Sequence, residues 1–467
     1  VEVDSLIGGA GNDQLFAGYG DHVDGGTETD ILLMSLAGAT AGVTADLTAA
    51  FSGGVSTIGG ALLTGLEQYS VIYGSSDSDA ITVGNASENN GPDANGLGVY
   101  AGDGNDTLTG GSATNRLHGE GGNDSLSGLS GGDELYGGED GDVLEGGLGN
   151  DTIDGGAGND TASYASATAA VTVSLAITVA QNTGGAGSDT LLEIENLTGS
   201  GYADSLTGSD SDNVLDGGIG NDTLTGGLGD DTYYVQATGD KVVELNGEGT
   251  DIIYSSASYS LSGRYVEVLT LTGTANTNAT GNSLGNTLNG NTGSNSLDGA
   301  AGNDTMAGGL GDDTYYVQTT GDNVVEAGGQ GTDVIFSTVS YSLSGRFAEV
   351  INLTGSANIN ATGNSTNNTL TGNDGTNTLN GKGGADYLAG GLGADVFLFE
   401  ASSGKDTITD FSAAQNDSLN VNAYTGGVAN AGLVAQVGGN VVITFSSANT
   451  ITVLNASQAD VLAHMVW

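Results

Sequence analysis

The sequence predicts an all-β fold, a right-handed parallel β-roll or β-helix solenoid, and three observations predict it. Between Ala101 and Ser163 one nine-residue pattern recurs seven times without an insertion: AGDGNDTLT, GGSATNRLH, GEGGNDSLS, GLSGGDELY, GGEDGDVLE, GGLGNDTID and GGAGNDTAS. Composition points the same way, with 85 glycines, one proline and no cysteine in 467 residues. Charge is the third observation: 57 acidic residues stand against 6 basic ones, a formal −51.

Each position of the nonapeptide has a physical reason. Glycines at positions one, two and often four permit a tight turn with φ > 0, which other residues adopt only at a cost. The last three residues are short and extended, and the eighth (Leu108, Leu117, Leu126, Leu135, Leu144, Ile153, Ala162) points into a shared interior. One nonapeptide is then a turn plus a strand, and two complete a coil, so residues eighteen apart stack on one edge. The sixth position thereby forms two columns: Asp106, Asp124, Asp142 and Asp160 in one, Asn115, Asp133 and Asp151 in the other. Coils at a strand spacing of about 4.8 Å crowd like charges together unless a cation separates them. Hard divalent cations take carboxylate, amide and carbonyl oxygens, the donors that this loop supplies. Turn propensity alone also places Asp and Gly at surface turns, but it does not hold phase through seven units.

This pattern resembles the haemolysin-type calcium-binding nonapeptide repeat of the RTX proteins, G-G-x-G-x-D-x-U-x. The resemblance implies Ca²⁺ ions stacked between turn loops, multiple and structural, in a type I-secreted extracellular protein of a Gram-negative bacterium. One ion per stacked loop pair would give about twenty ions and cancel most of the charge. A halophile's solvated acidic surface is the competing explanation of that charge. It predicts acid spread over many contexts, whereas much of the Asp here holds one register position.

Six segments follow in order. Residues 1–30 hold N-terminal coils, GGAGNDQLF with Asp13 and GGTETDILL with Asp30 around a shortened unit. Residues 31–100 are strand-rich and divergent, return to phase at Asp79, and include an expected exposed loop at 85–97 with Pro92. The regular roll spans 101–163. A second strand-rich insert, 164–207, echoes the first: AAVTVSL repeats AGVTADL, and Ile194-Glu195-Asn196 repeats Leu66-Glu67-Gln68. From 208 to 395 the loops carry Asn213, Asp222 and Asp231, preceded by Asp204 in GSGYADSLT.

An 82-residue repeat is superimposed from Gly227, where GLGDDTYYVQATGD returns as GLGDDTYYVQTTGD at Gly309 and, in part, as GLGADVF at Gly391. Its loop positions are Asn286, Asn295, Asp304 and Asp313, then Asn368, Asn377, Asp386 and Asp395. An Asn offers a neutral amide oxygen, so these loops read as weaker sites or as metal-free Asn ladders. Asp240, Glu244 and Asp251, with copies Asp322, Glu326 and Asp333, form either further calcium sites or solvated acidic loops. Residues 396–467 end in hydrophobic strands expected to cap the stack, whose open edge otherwise invites pairing. DTITDF followed by NDSL resembles the segment that closes the roll in RTX exoproteins such as serralysin-type proteases and mannuronan epimerase modules. That resemblance implies Asp406 and Asp410 as ligands of the last calcium and an uncleaved secretion signal in the tail.

Several functions are disfavoured. A nucleic-acid partner needs a basic surface, an anionic membrane repels this charge, and no apolar run approaches the roughly 20 residues of a membrane span. His22, His118 and His464 form no HExxH pattern, and no G-x-S-x-G or cysteine nucleophile is present. His118 reads as a solvent-facing strand residue, and Tyr233, Tyr234, Tyr315 and Tyr316 as strand packing. Val1 opens almost inside a repeat with no initiating Met, so the chain is expected to be processed or part of something longer. The reading is non-enzymatic: an extracellular calcium-binding structural protein, a rod of roughly 100 Å from stacked coils, self-associating into a surface layer, filament or matrix. The alternatives are the RTX region of a larger secreted enzyme or toxin, and an adhesin or module binding cell-surface polysaccharide.

Overall fold

The computed structural model describes residues 2–85, 87–88 and 98–467. Most of the expected loop at 85–97 lies outside the described residues. The chain divides into two compact units, Val1–Thr250 and Asp251–Trp467, and each is a solenoid of parallel strands.

In the first unit the regular run forms two facing walls. Gly98–Asp103, Arg116–Gly121, Glu134–Glu139 and Thr152–Ala157 pair in parallel along one wall. Thr107–Gly111, Ser125–Gly131, Val143–Glu145 and Thr161–Ser163 pair along the other. Leu117 lies opposite Leu135, and Leu108 opposite Leu126, so the register is eighteen residues throughout this run. Position eight fills the space between the walls, each of Leu108, Leu117, Leu126, Leu135, Leu144, Ile153 and Ala162 being at most 1% exposed. The shortened N-terminal unit is accommodated by a register of seventeen, Leu15 facing Leu32.

In the second unit, Leu297 pairs with Tyr315, Tyr315 with Ile335, Ile335 with Ile351 and Ile351 with Leu370. Those steps of 18, 20, 16 and 19 residues show that coils of unequal length keep one continuous wall. The extra residues are accommodated in the turns. At the C-terminal end the pairing changes character. Val434–Val437, Asn440–Thr444 and Thr450–Val453 form an antiparallel meander, joined in parallel to Lys405–Ile408. A short helix, Gln458–Ala463, whose first turn is capped by Ser457, leads to Met465–Val466, which pairs with Leu419 and Asn420.

Two expectations need correction. Glycine at position one is not needed for positive φ: none of Gly110, Gly119, Gly128, Gly137, Gly146 and Gly155 has one. It is needed for space, since a Cβ on Gly146 or Gly155 would collide with the carboxylate of Asp151 or Asp160. His118 is not freely solvent-facing. Its ring is sandwiched between Tyr100 and Tyr136, with centroids 4.2 and 4.5 Å away.

Burial of position eight sets a stability prediction. Leu126→Ala and Leu297→Ala should each cost about 3 kcal/mol through lost transfer energy and the remaining cavity. Ile219→Ala, at a loop position 78% exposed, should stay within about 0.5 kcal/mol. Urea unfolding in saturating calcium measures both, and equal losses would contradict the packing described.

Candidate metal centre

The position-six columns are physical ladders. The backbone N–H of Asp106 donates to Asp124 Oδ1, that of Asp124 to Asp142 and that of Asp142 to Asp160, at 2.7, 2.7 and 2.8 Å. In the other column Asn115 donates to Asp133 and Asp133 to Asp151, at 2.7 and 2.8 Å. One oxygen of each ladder carboxylate is thus committed to the coil before it. What the second oxygen does sorts the loops into two kinds.

In closed loops the position-six side chain turns back to the N–H of position two. Ser75 donates to Asp79, Gly111 to Asn115, Ser200 to Asp204 and Gln236 to Asp240 in the first unit. Asn282 donates to Asn286, Asn291 to Asn295, Gln318 to Asp322, Asn364 to Asn368 and Asn373 to Asn377 in the second. Ser209 and Asn213 make the same bond. Closed Asp residues have both oxygens satisfied, since Asp79, Asp204, Asp240 and Asp322 also accept a ladder or wall N–H. Most closed Asn residues use the amide instead, Asn368 being the exception with a buried Nδ2 that has no partner. Asn213 donates to the Glu195 carbonyl, Asn286 to Val266, Asn295 to Thr277 and Asn377 to Ile359.

In open loops the second oxygen has no such bond. Oδ2 of Asp13, Asp30, Asp106, Asp124, Asp142, Asp151, Asp160, Asp222, Asp304, Asp313, Asp386 and Asp395 is buried without a hydrogen-bond partner. The backbone separates the classes cleanly. Position two has positive φ in every one of these loops, including non-glycines Glu120, Ala300 and Lys382 at 77, 65 and 69°. Leu129 and Gly227, which precede Asp133 and Asp231, share that conformation at 70 and 114°. Position two of every closed loop lacks it. Left-handed φ at position two withdraws its N–H from the carboxylate, leaving an oxygen that the protein does not satisfy. A buried polar group without a partner is costly, and a buried charge more so.

Burial leaves its mark on protonation. Desolvation is the largest cause pushing Asp106 up to about 7 and Asp124, Asp142, Asp151, Asp222, Asp304 and Asp395 up to about 6. Asp386 is pushed to about 7 in the same way. The donor chemistry therefore fits a hard cation: anionic oxygens in a closely spaced stack, each lacking a partner.

Further carboxylates were not singled out in the sequence. Glu67 accepts from the N–H of Asp30, Glu195 from Asp160, Glu267 from Asp251 and Glu349 from Asp333, at 2.8 to 3.0 Å. They end a column where the coil departs from eighteen residues, 37, 35, 16 and 16 residues beyond the donor. The available signal was the recurring hydrophobic-Glu-x step, Leu66-Glu67-Gln68, Ile194-Glu195-Asn196, Val266-Glu267-Val268 and Ala348-Glu349-Val350. Asp189 and Asp417 end other columns, accepting from Asp151 and Asp395 at 3.0 Å each. In the tail, Asp406 accepts from Asp386 N–H and Ser403 Oγ. Asp410 is exposed and caps the N–H groups of Gly390 and Gly391, so Asp417 and not Asp410 continues the ladder. His22 accepts the N–H of Leu62.

The second unit also brings together Asp313, Glu326 and Asp333, whose carboxylate oxygens lie within 4.8 Å of one another. Asp322, expected with Glu326 and Asp333, is instead a closed-loop residue satisfied by Gln318, Thr319 and Asp304.

A fold of stacked parallel coils with carboxylate columns in the turns defines a cation-binding β-roll. Comparison with known families agrees: the model of the RTX calcium-binding nonapeptide repeat matches residues 2–32, 100–135, 127–162, 198–233, 280–315 and 362–397. These segments carry the RTX calcium-binding nonapeptide repeat, and the repeats imply calcium binding. No curated protein matches it. Among solved structures it is similar to the extracellular lipase LipA of Serratia marcescens, at 13% identity and a TM-score of 0.15, over 84% of this chain and 45% of the lipase. The chain thus spans less than half of that protein's length, and the TM-score is too low to relate the two arrangements.

Two outcomes follow. Asp222→Asn, in an open loop, should remove about one bound calcium, whereas Asp204→Asn, in a closed loop, should leave the count unchanged. Equal losses by metal analysis would contradict the division. The pH dependence of the metal-free chain has a definite sign. Folded-state values of about 6 to 7 lie above the ordinary 3.8, so stability present at low pH is lost as pH rises through that window. In chelator, β-structure measured by circular dichroism should increase from pH 7.5 down to about 5; a signal that falls on acidification would refute this.

Proposed function

We propose that this chain is an extracellular calcium-dependent structural protein. Calcium entering the open loops converts an expanded acidic chain into stacked rolls, and these self-associate into a surface layer, filament or matrix. The observation that carries this reading is the distribution of open loops, from Asp13 to Asp395, so that stability along nearly the entire chain depends on cations. A chain of formal charge −51 resists compaction until counter-charge arrives. With no cysteine, it has no disulfides to take that role.

Self-association is supported by apolar residues presented at equivalent loop positions. Leu228, Leu310 and Leu392 at position three of their loops are 48, 52 and 57% exposed. Export through a type I route fits the same chemistry: low cytosolic calcium keeps the chain unfolded for passage, and external calcium folds it outside. Among the described residues no helix is long and apolar enough to cross a membrane. In this reading the chain is not itself an enzyme.

The test uses the purified chain. Circular dichroism should show little β-structure in chelator and a cooperative gain at millimolar calcium, the binding free energy being folding free energy. Electron microscopy of the calcium-loaded protein should show ordered sheets or filaments. β-Structure indifferent to chelation would overturn the calcium-dependent fold. Dispersed particles at all calcium concentrations would overturn the assembly and favour a module serving a larger secreted enzyme.

A further inference from the structure

The open nonapeptide loops each offer one unsatisfied carboxylate oxygen. A different arrangement occurs where GGLGDDTYY begins the 82-residue unit at Gly308. Position eight, normally aliphatic, is Tyr315. Its ring takes the usual buried place in the wall, 0% exposed, and its hydroxyl reaches the loop. There it accepts the N–H of Gly308 at 2.7 Å and donates to Glu326 Oε1. The tyrosine thus fixes Glu326 beside the loop carboxylate.

The remaining oxygens are left over. Asp313 Oδ1 accepts from Asn295 N–H and Glu326 Oε1 from Tyr315, while Asp313 Oδ2 and Glu326 Oε2 are buried with no partner. Asp333 Oδ1 accepts from Asp313 N–H at 2.9 Å. The residues are 1, 7 and 2% exposed, and a ligand oxygen from each lies within 4.8 Å of the other two. Three buried carboxylates at that separation repel strongly unless neutralised, and neither ion pair formed among the described residues involves them.

We propose that Asp313, Glu326 and Asp333 form a second type of cation site, a side-chain cage of three carboxylates oriented by Tyr315, selective for calcium or a trivalent lanthanide. This inference rests on the calcium-binding reading above and deepens it. All-oxygen donors and an irregular cage suit calcium better than magnesium, which demands near-ideal octahedral geometry. With three carboxylates where a nonapeptide loop has one, the site fills at lower free calcium than its neighbours. It therefore starts the ordering of its unit.

The sequence carries an internal control. Asp231, Tyr233, Glu244 and Asp251 repeat the same residue types at the same spacing, 82 residues earlier. At the third recurrence, GLGADVF, the tyrosine is replaced by Phe397, and the positions matching Glu326 and Asp333 are Ile408 and Gln415. The tyrosine and the glutamate are lost together, while the loop aspartate is kept. There Asp395 belongs to an ordinary open loop whose ladder continues to Asp417.

Terbium luminescence excited through tyrosine tests the site, because energy transfer requires a tyrosine close to the bound ion. The full chain, stripped by chelator, is titrated with terbium(III). Emission should rise with the first equivalents bound. Glu326→Gln and Asp333→Asn should each reduce it relative to the unmodified chain. Tyr315→Phe should reduce emission equally while bound terbium per chain stays unchanged. Asp395→Asn should do the reverse, lowering bound terbium with emission retained. Emission from Tyr315→Phe equal to that of the unmodified chain would overturn the proposal, even if the Glu326 and Asp333 variants failed to fold. So would undiminished emission from a Glu326→Gln variant with normal circular dichroism in calcium. Failure of the underlying calcium reading is distinguishable, since the unmodified chain would then take up neither terbium nor calcium.

Discussion

A carboxylate oxygen buried without a protein partner is the constraint on which the rest of this structure depends. The coil brings the position-six side chain inside the turn, and the ladder uses one of its oxygens. In the open and closed nonapeptide loops the other has two physical outlets, the N–H of position two or a cation, whereas at Asp406 the Ser403 hydroxyl takes it. Backbone conformation at position two decides between them. Where a glycine, or a strained Glu120, Leu129, Ala300 or Lys382, takes positive φ, the internal donor is withdrawn. Non-glycine residues enter that region at a cost of about 1 kcal/mol or more. The strain is tolerated where the resulting site gains an ion, which makes binding and folding one equilibrium.

Closed loops show what happens where a column begins or ends. In the second unit two columns have a single open loop between closed or terminating neighbours: Asn286, Asp304, Asp322 in one and Asn368, Asp386, Asp406 in another. At the start, Asn supplies a donor to carbonyls of the longer coil beneath, as Asn377 does to Ile359 at 2.6 Å. At the end, Asp322 and Asp406 satisfy both oxygens from the protein. Solenoid stability is a sum of nearest-neighbour terms, so these loops act as metal-independent boundaries. The first unit is arranged for longer runs, with Asp106, Asp124, Asp142 and Asp160 consecutive in one column.

What was legible in the sequence follows from periodicity. A fixed spacing fixes register, so the two columns, the buried eighth position and the shortened N-terminal unit could all be read directly. The Glu terminators were not read as such because Glu reaches the ladder from irregular distances: Asp30 to Glu67 spans 37 residues and Asp333 to Glu349 spans 16. Position two held the open-or-closed distinction in plain view, Gly-Asn and Gly-Ser against Gly-Gly, yet its meaning depends on which way one N–H points. Gly111 illustrates the limit. It reads as an open loop from its Gly-Gly pair, and it closes because its partner is Asn115. The role of Tyr315 needed the wall geometry, since only there does a position-eight hydroxyl reach back to Gly308.

The location of the acid also decides between two explanations of the composition. A solvated halophilic surface places carboxylates in water, where their charge is screened and their protonation ordinary. Here the position-six carboxylates from Asp30 to Asp395 are almost all buried, at 0 to 4% exposure, and desolvation raises many of them. Charge in that position cannot serve hydration. It raises the energy of the metal-free fold, and the Asn substitutions fall where that energy would gain no ion in return. Acidity at position six is therefore selective: it is retained in open loops, and at a closed position it is either replaced by Asn or fully hydrogen-bonded. The open-loop share of the acidic residues is in this respect a description of where cations are admitted.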